Sequence, residues 1–382
     1  MIDSIWQIFG QIIVPFLLVL TVLVYFHELG HYLLARWNGV KVEVFSVGFG
    51  KELFGYTDKL GTRWKFSLIP LGGYVKMFGD ANAASAGGRD LDDMSDEEKS
   101  QSFHHKALWQ RAAVVAAGPI ANFILAIVVF CFVFMVYGQQ TTSSVIGGVK
   151  PGSAAEKAGF QPGDKIISID GSSIARFEDI RFAVQLNNGS QMVFEVDRVG
   201  QIVDVLVTPD RIVITDHSGK DIEMSQIGVI SDGVGTRERL SPGQALGAAL
   251  NDTYKIAWGS LKAIGQMIVG KRKTDGLSGP VGIGTLVGKA TKAGIDDDGN
   301  IYNYNIVPIL MLTAMLSISL GLINLFPIPV LDGGHLVLYA IEAVRGKPLP
   351  DNVANAAFSV GFMLLISLMV FATFNDVSHF FS

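Results

Sequence analysis

His27-Glu28-Leu29-Gly30-His31 sets two imidazoles four residues apart with a carboxylate beside the first. On a helix these positions share a face, so both rings can turn toward one divalent cation while Glu28 acts on a nearby water as general base. That is the chemistry of a zinc-dependent hydrolase. The same residues could instead only hydrogen-bond a neighbouring helix. Their setting favours chemistry, because His27 lies 15 residues into an apolar stretch that opens at Ile12, about 22 Å along a helix. Ionisable groups at that depth are expensive and normally mark function.

Catalytic zinc commonly takes three protein ligands and keeps one position open, so a further intramembrane group is needed. The segment Asn324-Leu-Phe-Pro327-Ile-Pro329-Val-Leu-Asp332-Gly333-Gly334-His335 provides one candidate. Its prolines remove backbone donors and its glycines permit unusual dihedrals, so a helix cannot run smoothly through it. Irregular backbone at membrane depth is tolerated inside protein or beside a watery cavity. Asp332 is the only carboxylate between Ile306 and Ile341 and is the expected third ligand. Read alone, the segment could equally be a loop leaving the membrane.

These residues need a membrane framework. Of 382 residues, 49% are apolar and 17% charged, and the mean hydropathy is +0.39. Four stretches can span roughly 30 Å of hydrocarbon: Ile12–Ala35, Ala112–Tyr137, Ile306–Phe326 and Ala356–Phe374. No Lys or Arg precedes the first, and ionisable residues interrupt its second half, so it is expected to stay a span rather than be cleaved as a signal peptide. A net charge of −5 gives no field for a polyanion, which argues against nucleic acid as a partner. Cys131 is the single cysteine, which excludes disulfides within the chain.

Lys and Arg crowd the segment between the first two spans and are missing from both terminal tails. The positive-inside rule then sets residues 36–111 against the cytoplasmic side, with the termini and a large region at 138–305 outside. The expected fold is a polytopic α-helical membrane protein of about four transmembrane helices, with a membrane-associated β-hairpin region and one inserted extracytoplasmic PDZ-like α+β domain. Its expected divisions are a first transmembrane helix in residues 1–40, a cytoplasmic-side β region and flexible loop in 41–111, a second transmembrane helix in 112–138, the PDZ-like domain in 139–232, an amphipathic helix and connecting segment in 233–305, and the last two transmembrane helices in 306–382. Residues 41–78 carry β-branched and aromatic residues punctuated by glycines, which predicts short strands and turns. Residues 81–100 hold too little apolar surface to offset ordering entropy and read as a flexible loop. From Ser241 to Val269 the apolar periodicity predicts an amphipathic helix at the membrane surface.

The combined motifs resemble the site-2 protease family of intramembrane zinc metalloproteases. The likeness rests on the His-Glu-Leu-Gly-His string, on Ala117-Gly-Pro119-Ile-Ala-Asn122-Phe in the second span, and on Asn-x-x-Pro-x-Pro-x-Leu-Asp-Gly-Gly at the third. Ser67-Leu-Ile-Pro-Leu-Gly-Gly-Tyr-Val-Lys-Met77, His105-Lys-Ala-Leu-Trp-Gln-Arg-Ala113 and Leu277-Ser-Gly-Pro-Val-Gly-Ile283 extend it over nearly the whole chain. Val145 to Gly171, with its Ala-Gly-Phe-Gln-Pro-Gly-Asp run, resembles a bacterial PDZ domain. The resemblance implies that His27, His31 and Asp332 bind Zn²⁺, that Glu28 activates water, and that Asn324 positions the substrate or stabilises the oxyanion. It implies substrates that are single-span membrane proteins, such as anti-sigma factors or signal-peptide remnants, filtered by size at the PDZ region. It also implies a place in the bacterial inner membrane, with the active site toward the cytoplasmic side and the PDZ-like domain and both termini periplasmic. Relatives in enteric bacteria carry two tandem PDZ domains, whereas this chain has room for one.

Other polar groups have plainer readings. His104 and His105, beside Lys106 and Arg111, suit a surface or headgroup role. Asp296, Asp297, Asp298 and Asn300 lack the Gly and Glu of a calcium loop and read as an exposed turn. Gly282 and Gly284 lack the strand-to-helix setting of a nucleotide loop. Two other functions compete. A non-catalytic receptor with a structural zinc would have no use for Glu28 beside an open position, and a metal-free transporter should show an inverted repeat that four dissimilar spans do not.

Overall fold

The computed structural model describes residues 9–80, 94–215, 221–272, 279–295 and 305–378. In chain order, a π-helical turn (Phe9–Ile13) leads into α1 (Val14–Trp37), β1 (Val42–Thr57), β2 (Arg63–Met77), α2 (Asp96–Gln101) and α3 (Leu108–Val136). Then come β3 (Gln139–Thr142), β4 (Ile146–Val149), α4 (Ala154–Ala158), β5 (Lys165–Ile169), β6 (Ser172–Ser173) and α5 (Phe177–Asn187). Strands β7 (Met192–Arg198), β8 (Gln201–Val207), β9 (Asp210–Thr215), β10 (Asp221–Gln226), β11 (Val229–Ser231) and β12 (Gly235–Glu238) follow. The chain ends with α6 (Pro242–Ile268), α7 (Pro280–Lys292), α8 (Val307–Asn324), α9 (Asp332–Arg345) and α10 (Asp351–Ser378). The helical segments Phe9–Trp37, Leu108–Val136, Val307–Asn324 and Asn352–Phe374 are long and apolar enough to cross a membrane. They coincide with the four expected stretches.

The chain forms two compact units. The first comprises α1, β1, β2, α2, most of α3, and α7 to α10. Pro15 starts α1, where a missing amide proton costs nothing, and the Asn38 side chain ends it by donating to Leu34 O at 2.8 Å. Ala35, Val42, Phe45, Val75 and Val114 form one buried core of this unit, joining the end of α1 to the strands and to α3. Val19, Leu23, Leu125 and Val287 form a second, where α1 meets α3 and α7.

The strands are longer than the expected short pieces, and they double back. Phe45 lies opposite both Trp64 and Val75, so the start of β1 sits between the two halves of β2. Gly48 makes the bend possible, with φ +90° and a would-be Cβ 2.8 Å from Ile69 O. Residues 73–77 consequently lie outermost on the side of the sheet beside Val24 and Glu28 of α1. At the far turn, Asp58 accepts from the Leu60 and Thr62 amides and from Trp64 Nε1, and Tyr32 of α1 donates to the same carboxylate at 3.4 Å.

One expectation needs correction. Of the loop expected at 81–100, residues 81–93 lie outside the described residues, but α2 begins at Asp96. Ser95 and Glu98 form a reciprocal capping box, and Asp96, Glu97 and Glu98 complement the helix dipole. Local capping thus supplies what apolar burial does not. The acidic turn at 296–300 lies outside the described residues.

The second unit holds the end of α3, β3 to β12 and most of α6. Its four-stranded antiparallel sheet runs β6-β5-β7-β8, and β4–β11, β9–β10 and β3–β12 form separate pairs. Ile146, Phe160, Ile166, Ile180, Phe194 and Val196 fill its core. Helix α6 is fastened to α5 through Lys255 Nζ, 2.8 Å from Asp179 Oδ1, and Gln266 Nε2, which donates to Leu186 O at 2.8 Å. Burial opposes ionisation of Asp179, but the Lys255 hydrogen bond and the Arg176 and Lys255 charges outweigh it and hold the carboxyl below its usual range. Leu246, Leu250, Tyr254, Trp258 and Leu261 repeat every three or four residues of α6 and are exposed, an apolar stripe of the expected kind.

Candidate active site

Helix α1 carries His27, Glu28 and His31, α8 ends on Asn324, and α9 begins with Asp332. The turn between α8 and α9 brings Asp332 back to α1. Its Pro327 and Pro329 stop the helix, and Val330 adopts φ +105°, a costly conformation for a β-branched residue.

The three expected ligands converge. His27 Nε2 and His31 Nε2 are 3.3 Å apart. Asp332 Oδ2 is 3.2 Å from the first and Oδ1 is 3.6 Å from the second. A tetrahedral ion with arms of about 2.0–2.2 Å separates its ligands by roughly 3.3–3.6 Å, so these distances come close to the edges of such a site, with Asp332 turning a different oxygen toward each imidazole. The donor chemistry agrees. His31 Nδ1 lies 2.9 Å from Val114 O and must donate to it, which leaves Nε2 as a bare lone pair. Asp332 Oδ2 is buried with no hydrogen-bond donor. Lone pairs converging without a proton between them fit a cation.

The second imidazole is held in a similar way. Asn122 of α3 places its amide 3.0 Å from His27 Nδ1, while its Oδ1 is buried without a partner. Turning the amide by 180° sets that oxygen against an Nδ1 proton, satisfies it, and frees His27 Nε2 for metal. Helix α3 can come this close because a Cβ on Gly118 would lie 2.2 Å from His31 Nε2, and one on Gly30 would lie 2.2 Å from Ala117 O. Both positions require glycine for the approach. Ser317 of α8 donates to Asn122 O at 2.7 Å, tying a third helix to the same point.

Asn324 Nδ2 is 3.4 Å from His27 Nε2, on the metal side of the cluster. Glu28 faces residue 73, where a Cβ would lie 3.1 Å from Glu28 Cγ, so Gly73 leaves the carboxylate room. All five expected residues line one cavity of about 240 Å³, with Tyr74, Val75 and Met77 on one wall and His335 and Tyr339 on another. Sequence reasoning gave no role to Asn122, Val114 O or His335. The signals for Asn122 were its amide within an apolar span and its place in the Ala117-to-Phe123 motif, neither of which names its partner. His104, expected at the surface, pairs with the buried Asp80 at 3.1 Å.

The sequence profile described as Peptidase family M50 matches residues 15–368, nearly the whole chain. The chain belongs to peptidase family M50. The peptidase is 45% identical to a protein of Agrobacterium fabrum that carries the name zinc metalloprotease, over 96% of this chain and 95% of that one. A Rhizobium meliloti protein with the same description is 43% identical over 96% of each chain. Metalloprotease MmpA of Caulobacter vibrioides is 40% identical, again over 96% of each. Among solved structures, the PDZ domain of the SdrC-like protein from Listeria monocytogenes is 15% identical over 24% of this chain and 87% of its own, with a TM-score of 0.19.

Proposed function

We propose that this zinc metalloprotease is an intramembrane peptidase of the site-2 type, which hydrolyses peptide bonds in single-span membrane proteins. The observation that carries the reading is the convergence of His27, His31 and Asp332 beside helices long and apolar enough to cross a membrane, with Glu28 next to them. In this reading His27, His31 and Asp332 hold Zn²⁺. The ion, when bound, polarises a peptide carbonyl and makes water more acidic. Glu28 accepts a proton from the attacking water and delivers it toward the leaving amine. The Asn324 amide donates to the oxygen on which charge develops.

A transmembrane helix hides its scissile bond behind internal hydrogen bonds and must unwind locally. The outer edge of residues 73–77, on the cavity wall beside Glu28, offers backbone groups short of Met77, which already bonds Asp80, and these can pair with such an unwound strand. Substrates of the anti-sigma-factor type and signal-peptide remnants fit this requirement. The basic segment between the first two spans supports an orientation in the bacterial inner membrane with the active site toward the cytoplasm. The β-rich unit and both termini are then periplasmic. The α6 stripe, with Trp258 and Tyr254, suits contact with lipid headgroups.

Glu28→Gln tests the chemistry. It keeps the shape and the metal ligands but removes the base, so cleavage of a single-span substrate should fall at least 1000-fold, a drop on the order of that expected for losing a general base, while zinc analysis gives an unchanged metal content. Activity within tenfold of wild type, a loss smaller than about 10²-fold, would remove Glu28 from its role.

A further inference from the structure

His335 lines the same cavity from α9, and neither of its ring nitrogens hydrogen-bonds to a described residue. Its orientation is nonetheless set. The ring packs 5.0 Å from Phe358 of α10 and 6.4 Å from Tyr339, centroid to centroid. Tyr339 is in turn covered by the Arg111 guanidinium, which is itself fixed 2.6 Å from Glu342. A packed imidazole with unspent donors, facing a reaction cavity, is organised to meet something that enters it.

Most of the cavity's other polar side chains already have a place in the proposed chemistry: His27, His31 and Asp332 face one another, Glu28 is the base, and Asn324, beside His27, serves the oxyanion, while Tyr74 and Tyr339 add hydroxyls but no nitrogen donor. His335 stands three residues beyond Asp332, about 4.5 Å further along α9. A substrate strand paired with residues 73–77 advances about 3.4 Å per residue across the same cavity. His335 and Asp332 thus line one cavity within a single helical turn, and a strand seated there carries backbone carbonyls past both. Among the described lining residues, no other uncommitted nitrogen donor stands on that wall.

We infer that His335 is a substrate-binding residue, donating a hydrogen bond from its neutral ring to the backbone carbonyl adjacent to the scissile bond. The inference rests on the reading of this cavity as a zinc peptidase site. Held by that bond, the strand cannot slip relative to the attacking water. Without it, the strand still binds along residues 73–77 but samples unproductive registers.

Four proteins and two inhibitors test it. Wild type, His335→Ala, His335→Phe and His335→Gln are compared for kcat/KM, zinc content, and affinity for a peptidyl hydroxamate and for acetohydroxamate. Phe keeps the packing but has no donor, and Gln restores one. The expectation is a loss of about tenfold in kcat/KM for Ala and Phe, one hydrogen bond's worth, with partial recovery in Gln and zinc unchanged in all. Affinity for the peptidyl hydroxamate should fall by a similar factor, whereas acetohydroxamate, which has no neighbouring carbonyl, binds all four alike. Wild-type activity in His335→Phe overturns the inference, since packing would then be the whole role. Equal weakening of both hydroxamates, or loss of zinc, overturns it in favour of a role at the metal. Wild-type protein that contains no zinc and binds neither hydroxamate would instead refute the underlying peptidase reading.

Discussion

His27 Nδ1 and the side-chain amide of Asn122 lie 3.0 Å apart although 95 residues separate them. The contact crosses from α1 to α3 and decides which nitrogen of His27 is free. Asn122→Ala removes the acceptor that holds the Nδ1 proton, so zinc affinity should drop about 10- to 100-fold, as for other partners of metal-bound histidines. Competition with a chelator of known affinity measures this directly. Unchanged zinc affinity would mean that the amide does not orient the ring. Asn122→Asp, which still accepts, should retain most of the metal.

Gly118 makes a different contribution to the same cluster. A methyl group there would have to occupy space 2.2 Å from His31 Nε2 and 2.8 Å from His27 Cε1. Gly118→Ala should therefore displace one imidazole or push α3 away, and lose both zinc and activity. The same substitution at Gly243, where nothing lies within 4 Å of the added carbon, should leave both unchanged. A fully metallated, active Gly118→Ala protein would contradict the close approach.

The sequence displayed the candidate site because an apolar, membrane-length setting makes ionisable residues conspicuous. His27, Glu28, His31 and Asp332 each break an apolar run, and the two prolines after Asn324 announce the turn that returns Asp332 to α1. Hydropathy located the four long helices for the same reason. What remained hidden depends on which helices cross and how closely. Gly30 and Gly118 look like ordinary small residues until the helices meet, and the Val114 carbonyl, being backbone, has no sequence signature. The doubled-back pairing of β1 and β2 was equally illegible, since alternation predicts strands but not that Phe45 faces both Trp64 and Val75. Helix α2 was missed because the weight of polar residues masked a short capping box at Ser95.

Orientation can be read with single cysteines in a Cys131→Ala background. Ser100 in α2 and Ser172 in β6 are both exposed. With a thiol reagent that cannot cross the membrane, intact spheroplasts should label Ser172→Cys, and Ser100→Cys should react only after permeabilisation. The reverse pattern would invert the proposed topology.

The β-rich unit supports a last prediction, about what admits a substrate. If the unit acts as a steric filter, a substrate with a large folded external portion cannot bring its span to the zinc, whereas a trimmed one can. The fold indicates a clean excision. β3 and β12 pair antiparallel with Thr142 opposite Gly235, so residues 143–234 can be replaced by an Asn-Gly turn that closes the two strands into a hairpin. The shortened protein should cleave the untrimmed substrate at a rate approaching that of the trimmed one, with the trimmed rate changed less than about threefold, the effect of a single lost weak contact. Recognition of a substrate tail predicts the opposite. The groove of about 410 Å³ between α5 and β11, lined by Ile180, Val184 and Val229, would be its seat, and β11 would pair with the tail. Excision would then abolish cleavage of the trimmed substrate, and no change in its external size would restore it. Undiminished discrimination between long and trimmed substrates after excision would dismiss the filter and place selection within the membrane unit, at the edge strand and His335.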